Sequence, residues 1–296
     1  MNSPLESLDI PAWVAKATAD KKNFREAVHI ILTAIGQSTA LRTKMIMKGG
    51  MLMALRYESS RFTKDADFST RDLYIQGNET ELIAELDAQL ALATAELPYD
   101  TSCRIQRSEL KPSGADKTFP TLALNIGYAP KSNARAISRL LAKQSPAIVE
   151  IDYSYNESVL DVEVLRLIDG GELQAYSLIN LMAEKYRSLL QQTVRNRNRR
   201  QDVYDLALLL NHVDRWTEAE CAMLKSLIVA TAESKGIQAQ ADSISDPRIM
   251  EMAAKGYEDM VAEVDGPLPE FNELYQKVVK FYESLPWSRS KSVPLS

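Results

Sequence analysis

The spacing of apolar residues along the chain changes several times, and each change marks an element. Between residues 23 and 41, Phe24, Ala27, Val28, Ile31, Leu32 and Ile35 recur at helical spacing, which predicts one amphipathic helix. "KMIMK" reads as a short buried strand ending at Gly49 and Gly50. "MLMALRYE" reads as a helix that begins at Met51, and "DADFS" as a second strand. "NETELIAELDAQLALATAEL" predicts a helix capped by Asn78 or Thr80. Two strand-like runs follow, "TSCRIQRSEL" and "FPTLALNIGYA", joined by the turn "KPSGADK". In "PAIVEIDYSY", Val149, Ile151 and Tyr153 alternate with Glu150 and Asp152, so the two carboxylates share the polar face of a strand. Beyond about Tyr176 only helical patterns remain. They run to about Ser284 with breaks at "SISDP" and "DGPLPE", and "PWSRSKSVPLS" reads as a frayed tail. The expected architecture is α+β: a mixed α/β domain over residues 1–175, then an all-helical domain over residues 176–296.

Composition narrows the chemistry. The 296 residues are 45% hydrophobic and 25% charged, enough for a sizeable core. A net charge of -5 excludes a generally basic protein, so any nucleic-acid contact has to come from a local patch. The 2 cysteines and 2 histidines lie outside any ligand spacing and exclude a zinc site built on them. "MNSPLESLDIPAWVAKATADKK" lacks a basic segment followed by an apolar core, and "AVHIILTAIG" is too short to span a bilayer. These features lead to the expectation of a cytoplasmic protein without membrane partners.

The chemistry concentrates in "KGGMLMALRYESSRFTKDADFS", residues 48–69. Asp65 and Asp67 stand at i and i+2 of a strand and point to one side, where they repel unless a cation sits between them. Mg²⁺ takes oxygen ligands and commonly uses one or two carboxylates together with substrate phosphates. Gly49 and Gly50, ahead of a helix, expose backbone N–H groups at the positive end of its dipole, which suits a phosphate. A phosphate cradle and a carboxylate pair in one strand–helix–strand unit point to metal-assisted phosphoryl or nucleotidyl transfer.

This stretch resembles the first motif of the polymerase-β-like minimal nucleotidyltransferases, and more narrowly that of the AbiEii-type toxins: Gly-Gly, an apolar helix, then Arg-x-Ser/Thr-x-Asp-x-Asp. "LINLMAEKYRSLLQQTVRNRNRRQDVYDLALLL" is similar to their later motif, Glu-Lys followed by Arg and Asp and then Tyr-Asp-Leu. The chain departs from that pattern in two places. Met51 stands where a hydroxyl residue often follows the glycines, and Gln201 separates Arg200 from Asp202.

In the second block Lys185 falls on the apolar stripe of Leu178, Leu181, Met182 and Leu189. An ammonium there snorkels to water, reaches an anionic ligand, or pairs with a carboxylate such as Asp202. The resemblance implies that Lys185 meets the nucleotide phosphates and that Asp202 belongs to the site. Arg195, Arg197, Arg199 and Arg200 make "VRNRNRRQ" the strongest local positive feature, fit for an RNA backbone or a triphosphate. A third carboxylate is expected from Asp152, with Glu150 as the alternative.

Together these readings predict a nucleotidyltransferase-like mixed sheet flanked by helices, with a helical C-terminal domain. Asp65, Asp67 and Asp152 would bind Mg²⁺; Gly49, Gly50, Arg61, Thr63 and Lys185 would hold an NTP. The resemblance implies a toxin of a toxin–antitoxin or phage-defence system that transfers NMP to an acceptor hydroxyl such as a tRNA 3′ end, accompanied by a cognate antitoxin. A metal-dependent nuclease, a non-catalytic binding module on the same fold and a sugar- or antibiotic-modifying transferase are the alternatives.

Overall fold

The computed structural model describes residues 7–112 and 119–287. Most of the "KPSGADK" turn and of the C-terminal tail lies outside the described residues. The chain divides into two compact units. One is Met1–Glu58 with Phe62–Tyr176; the other is Ser177–Ser296 with the short segment Ser59–Arg61.

The first unit is built on one mixed sheet of eight strands: β1 Ser7–Leu8, β2 Ile46–Lys48, β3 Asp65–Ser69, β4 Thr101–Lys111, β5 Thr121–Pro130, β6 Ile148–Ser154, β7 Val162–Leu167 and β8 Glu172–Tyr176. Their order is β1-β7-β8-β2-β3-β6-β5-β4. The contacts β1/β7, β2/β8 and β3/β6 are parallel and the others antiparallel. One face is apolar: Ala66 and Phe68 of β3, Val149, Ile151 and Tyr153 of β6, and Leu122, Leu124 and Ile126 of β5 are all buried. The helices Lys22–Gln37 and Asn78–Glu96 pack on this sheet and on each other, the first with a run of buried residues from Ala27 to Ile35. The alternation along β6 puts Glu150 and Asp152 on the other face, both exposed.

Several elements differ from the sequence expectation. The first helix ends at Gln37, because Ser38 leaves helical geometry and its hydroxyl accepts from the Leu41 N–H, starting the separate turn Thr39–Arg42. The helix Asn78–Glu96 is entered through Gly77 at φ 97°, with no side-chain cap from Asn78 or Thr80. The helix expected to begin at Met51 begins at Gly49, so both glycines form its first turn. The strands β1, β7 and β8 and the helix Ala134–Leu141 were not anticipated at all.

The second unit is helical among its described residues. Its main helices are Leu178–Leu190, Arg200–Leu209, Glu218–Glu233, Pro247–Ala254 and Phe271–Ser284. Ser177 caps the first through the Asn180 N–H, and Thr217 with Glu220 forms a reciprocal capping box at Glu218. Tyr186 and Tyr282, both fully buried, pack against each other at 5.3 Å between ring centroids.

Candidate active site

On the polar face of the first unit, register gathers the acidic residues. Parallel pairing of β3 with β6 sets Asp65 beside Glu150 and Asp67 beside Asp152. Neighbouring strands lie about 4.8 Å apart and paired residues project to the same face. Four carboxylates therefore occupy one patch, three of them exposed and Asp67 partly covered. The Thr63 hydroxyl donates to Asp65 Oδ1, which makes Thr63 a support for the carboxylate.

Gly49 joins the glycine turn to this patch. Its φ is +68°, a left-handed conformation that residues with a Cβ rarely adopt. A Cβ at this position would overlap Asp67 Oδ2 and lie 3.0 Å from Asp67 Cγ. The turn is thus pressed against the second carboxylate of the pair. Gly49 and Gly50 open the helix Gly49–Arg56, whose first-turn N–H groups lack intrahelical partners and carry the positive end of the dipole. Carboxylates and orphan N–H groups adjoin within one strand–turn–helix.

The donors fit a hard divalent cation, since every one is a carboxylate oxygen. Among the described residues no three His, Cys, Asp or Glu side chains converge tightly enough to hold a metal by themselves. Asp152 stands beside Asp67 in the sheet without completing such a shell.

Lys185, Asp202 and Arg61 fall in the second unit. Lys185 is 6% exposed, and its ammonium donates to Asp205 Oδ2 at 2.6 Å and to Asp202 Oδ1 at 3.2 Å. Arg61, in the segment that joins this unit, clamps the same Asp205 through Nε at 3.2 Å and Nη2 at 2.9 Å. Burial pulls the Lys185 ammonium down, but Asp205 and Asp202 outweigh it and hold Lys185 above its ordinary value. Burial likewise pushes Asp205 up, and Lys185 and Arg61 together bring it below 3.8. Of the three placements open to Lys185, the geometry is that of a structural ion pair. Asp205, fully buried, is the residue that sequence reasoning missed; the signal was its phase with Val203, Leu206 and Leu209 on the buried side of Arg200–Leu209.

The arginine run separates into two kinds. Arg199 lies 3.9 Å from Asp202, and Arg200 bridges Asp259 at 3.2 Å and Glu263 at 3.1 Å, so both are tied into the helical unit. Arg195 and Arg197 are exposed.

With this geometry in place, comparison with known proteins gives the class. The family model for the nucleotidyl transferase AbiEii toxin, Type IV TA system, matches residues 30–277, and the chain belongs to that family. It is a nucleotidyltransferase, an activity that generally uses a divalent metal. A protein from H. pylori assigned as a nucleotidyltransferase has the same fold at 16% identity and a TM-score of 0.50, over 90% of this chain and 95% of that one. JHP933 from Helicobacter pylori is also 16% identical, with a TM-score of 0.47 over 90% and 92% of the two chains. No curated protein matches the sequence. Among the described residues no helix is long and apolar enough to cross a membrane.

Two outcomes test this geometry. Gly49→Ala is expected to lose about 1–2 kcal/mol from the left-handed backbone alone and to displace Asp67, so transfer activity falls more than stability does; calorimetry beside a transfer assay separates the two. Lys185→Met leaves Asp205 with Arg61 alone and is expected to cost about 3 kcal/mol, or roughly 6–12 °C of melting temperature. The pH dependence follows from the direction of each shift. Asp205 binds its proton at lower pH folded than unfolded, so its contribution is complete above 3.8 and is lost as pH falls below it. Lys185 is raised, so its contribution is complete below 10.5 and is lost above it. Urea midpoints measured against pH should fall at both ends for the native chain, and the alkaline fall should shrink in Lys185→Met.

Proposed function

We propose that the chain is a Mg²⁺-dependent nucleotidyltransferase toxin that moves NMP from an NTP to the hydroxyl of an RNA acceptor, a tRNA 3′ end fitting best. The observation that carries the reading is the register: the glycine turn is held against Asp67, with Asp65, Asp152 and Glu150 on the same face. Asp65 and Asp67 would hold the cation, which when bound offsets the charge that builds on the phosphates. The N–H groups of Gly49 and Gly50 hold and orient the triphosphate, and Thr63 fixes Asp65. Asp152, beside Asp67 and open to solvent, accepts the proton of the attacking hydroxyl, with Glu150 in the same role should the acceptor lie one pair along the strands. The α-phosphate bond to that hydroxyl forms as the bond to pyrophosphate breaks.

Arg61, Lys185 and Asp202 join Asp205 in one buried ion network that holds the segment Ser59–Arg61 in the helical unit. The exposed Arg195 and Arg197 supply the phosphate contacts for RNA, while Arg199 and Arg200 hold the helices. A cognate antitoxin accompanies the toxin, in keeping with the toxin–antitoxin description of the family. The toxin would act in the cytoplasm, as a sheet domain that ends at Tyr176 and a helical domain that also takes in Ser59–Arg61.

Incubation with each α-labelled NTP, Mg²⁺ and total RNA should label RNA with the native chain. Asp67→Asn should lower the transfer by at least about 100-fold at an unchanged or higher melting temperature, since a repelling carboxylate is removed. Expression of the native chain alone should arrest growth, and Asp67→Asn at equal protein level should not. Label in protein instead of RNA would replace the acceptor, and undiminished transfer by Asp67→Asn would refute the site.

A further inference from the structure

The face that carries the four carboxylates repels a polyanion, so an RNA acceptor has to reach it where its phosphates meet cations. The first unit supplies such cations beside β5 and β4. Residues 131–149 contain Lys131, Arg135, Arg139 and Lys143 and no Asp or Glu, in a chain whose net charge is -5. Arg135 and Arg139 share one face of the helix Ala134–Leu141, about 6 Å apart along its axis. Lys143 follows just past the helix end, at φ +58°, with its N–H on the Leu140 carbonyl. All three are exposed, and among the described residues none of their side chains has a hydrogen-bond or ion-pair partner. Lys131 differs, since its ammonium donates to the Thr94 carbonyl at 2.8 Å.

This helix is seated on the carboxylate side of the sheet. Leu122, Leu124 and Ile126 of β5 are buried in the core, so positions Asn125 and Gly127 face the other way, with Glu150 and Asp152. Gln106 is the extra residue of a bulge in β4 and has no register partner on β5. It lies across Gly127, where a Cβ would come within 2.6 Å of Gln106 Cδ. From there Gln106 Nε2 donates to the Leu140 carbonyl at 3.2 Å, and Gln106 Oε1 accepts from the Ser145 N–H at 3.0 Å. Arg104 Nη1 adds a bond to the Leu141 carbonyl at 3.3 Å. Gly127 is two residues along β5 from Asn125, the register partner of Glu150. At about 3.4 Å per residue and 4.8 Å between strands, the anchored end of the helix stands on the order of 8 Å from the strand position of Glu150. Lys143 is at this end. Arg139 and Arg135 recede from it toward Pro130, where β5 ends.

We infer that Lys143, Arg139 and Arg135 form the track on which backbone phosphates of the RNA acceptor lie as its end enters the carboxylate site. The inference rests on the proposed RNA acceptor, and it adds a set of contacts in the first unit to Arg195 and Arg197 of the second. Cations one helical turn apart, on a helix fixed beside the reacting face, give successive phosphates successive partners. Such contacts position the strand and read no sequence. A solvated helix face ordinarily mixes both signs of charge, whereas this one carries no acid in an acidic chain.

The test is binding of fluorescein-labelled total tRNA by nucleotide-free protein, followed by anisotropy between about 50 and 200 mM salt. The track variant combines Arg135→Gln, Arg139→Gln and Lys143→Gly. Glycine suits the left-handed backbone at 143, so its melting temperature should hold or rise. A control variant removes as many exposed cations elsewhere, by Arg215→Gln, Lys255→Gln and Lys280→Gln. The track variant should bind at least about tenfold more weakly, with the slope of log affinity against log salt smaller by about 2–3, close to one per lost phosphate contact. The control should stay near the native chain in both. Arg135→Lys with Arg139→Lys keeps the charges and should also bind as the native chain does. If the native chain binds no tRNA, or labels only protein in the transfer assay, the RNA-acceptor reading fails and the inference with it. If the native chain binds tRNA and the track variant matches it in affinity and slope, the inference alone is overturned, and the stripe is left to an acidic protein partner. Equal weakening of the track and control variants would also overturn it, since net charge and not place would then decide.

Discussion

The close approach of Gly49 to Asp67 constrains the whole of the first unit. A backbone at φ +68° and the absence of a Cβ allow the chain to turn from β2 into a helix directly over a carboxylate on the next strand. That approach is possible only with β2 and β3 in their observed antiparallel register. Register also fixes Asp67 beside Asp152 on the other side. A shift of one residue would send every carboxylate of β3 into the apolar face occupied by Phe68, Ile151 and Leu124. The buried face therefore stabilises the acidic one: hydrophobic burial selects the register, and the register places the charges.

The second unit solves a related problem with ions in place of glycine. Asp205 is fully buried and lies between two cations, so three charges share one desolvated site. Such a cluster is not a strong source of net stability, because desolvation offsets most of the attraction, but removing one member is costly. Its value lies in specificity. Arg61 arrives from a segment far from Ser177 in sequence, and a bidentate clamp gives that segment a single seat. The Ser60 carbonyl and hydroxyl add to it, accepting from the Asp265 N–H at 3.0 Å and bonding to the Tyr204 hydroxyl at 2.9 Å.

How much of this was legible in the chain depended on distance. The carboxylate pair, the glycine turn and the polar face of β6 are local patterns, so period-two alternation and two adjacent glycines revealed them. The helical second half was legible for the same reason. The strands β7 and β8 were not. Val162, Val164 and Leu165 break the alternation of β7, and β8 joins the sheet through a parallel pairing with β2 that no local pattern announces. The partners of the buried charges were equally hidden. Nothing near Lys48 in sequence points to Glu157, and Asp202 and Asp205 differ only in helical phase, which decides the one that faces the core. The spacing placed Lys185 on an apolar stripe and left three placements open, because the identity of its anion is tertiary information.

The central claim is that the polar face formed by β2, β3 and β6, with the turn at Gly49, is where nucleotide and cation meet. The most direct measurement is a crystal structure with Mn²⁺ and a non-hydrolysable NTP, with data collected at the manganese edge. The account predicts an anomalous peak ligated by Asp65 and Asp67, with the triphosphate against the N–H groups of Gly49 and Gly50. A peak bound elsewhere, or a triphosphate seated on side chains away from that turn, would contradict it.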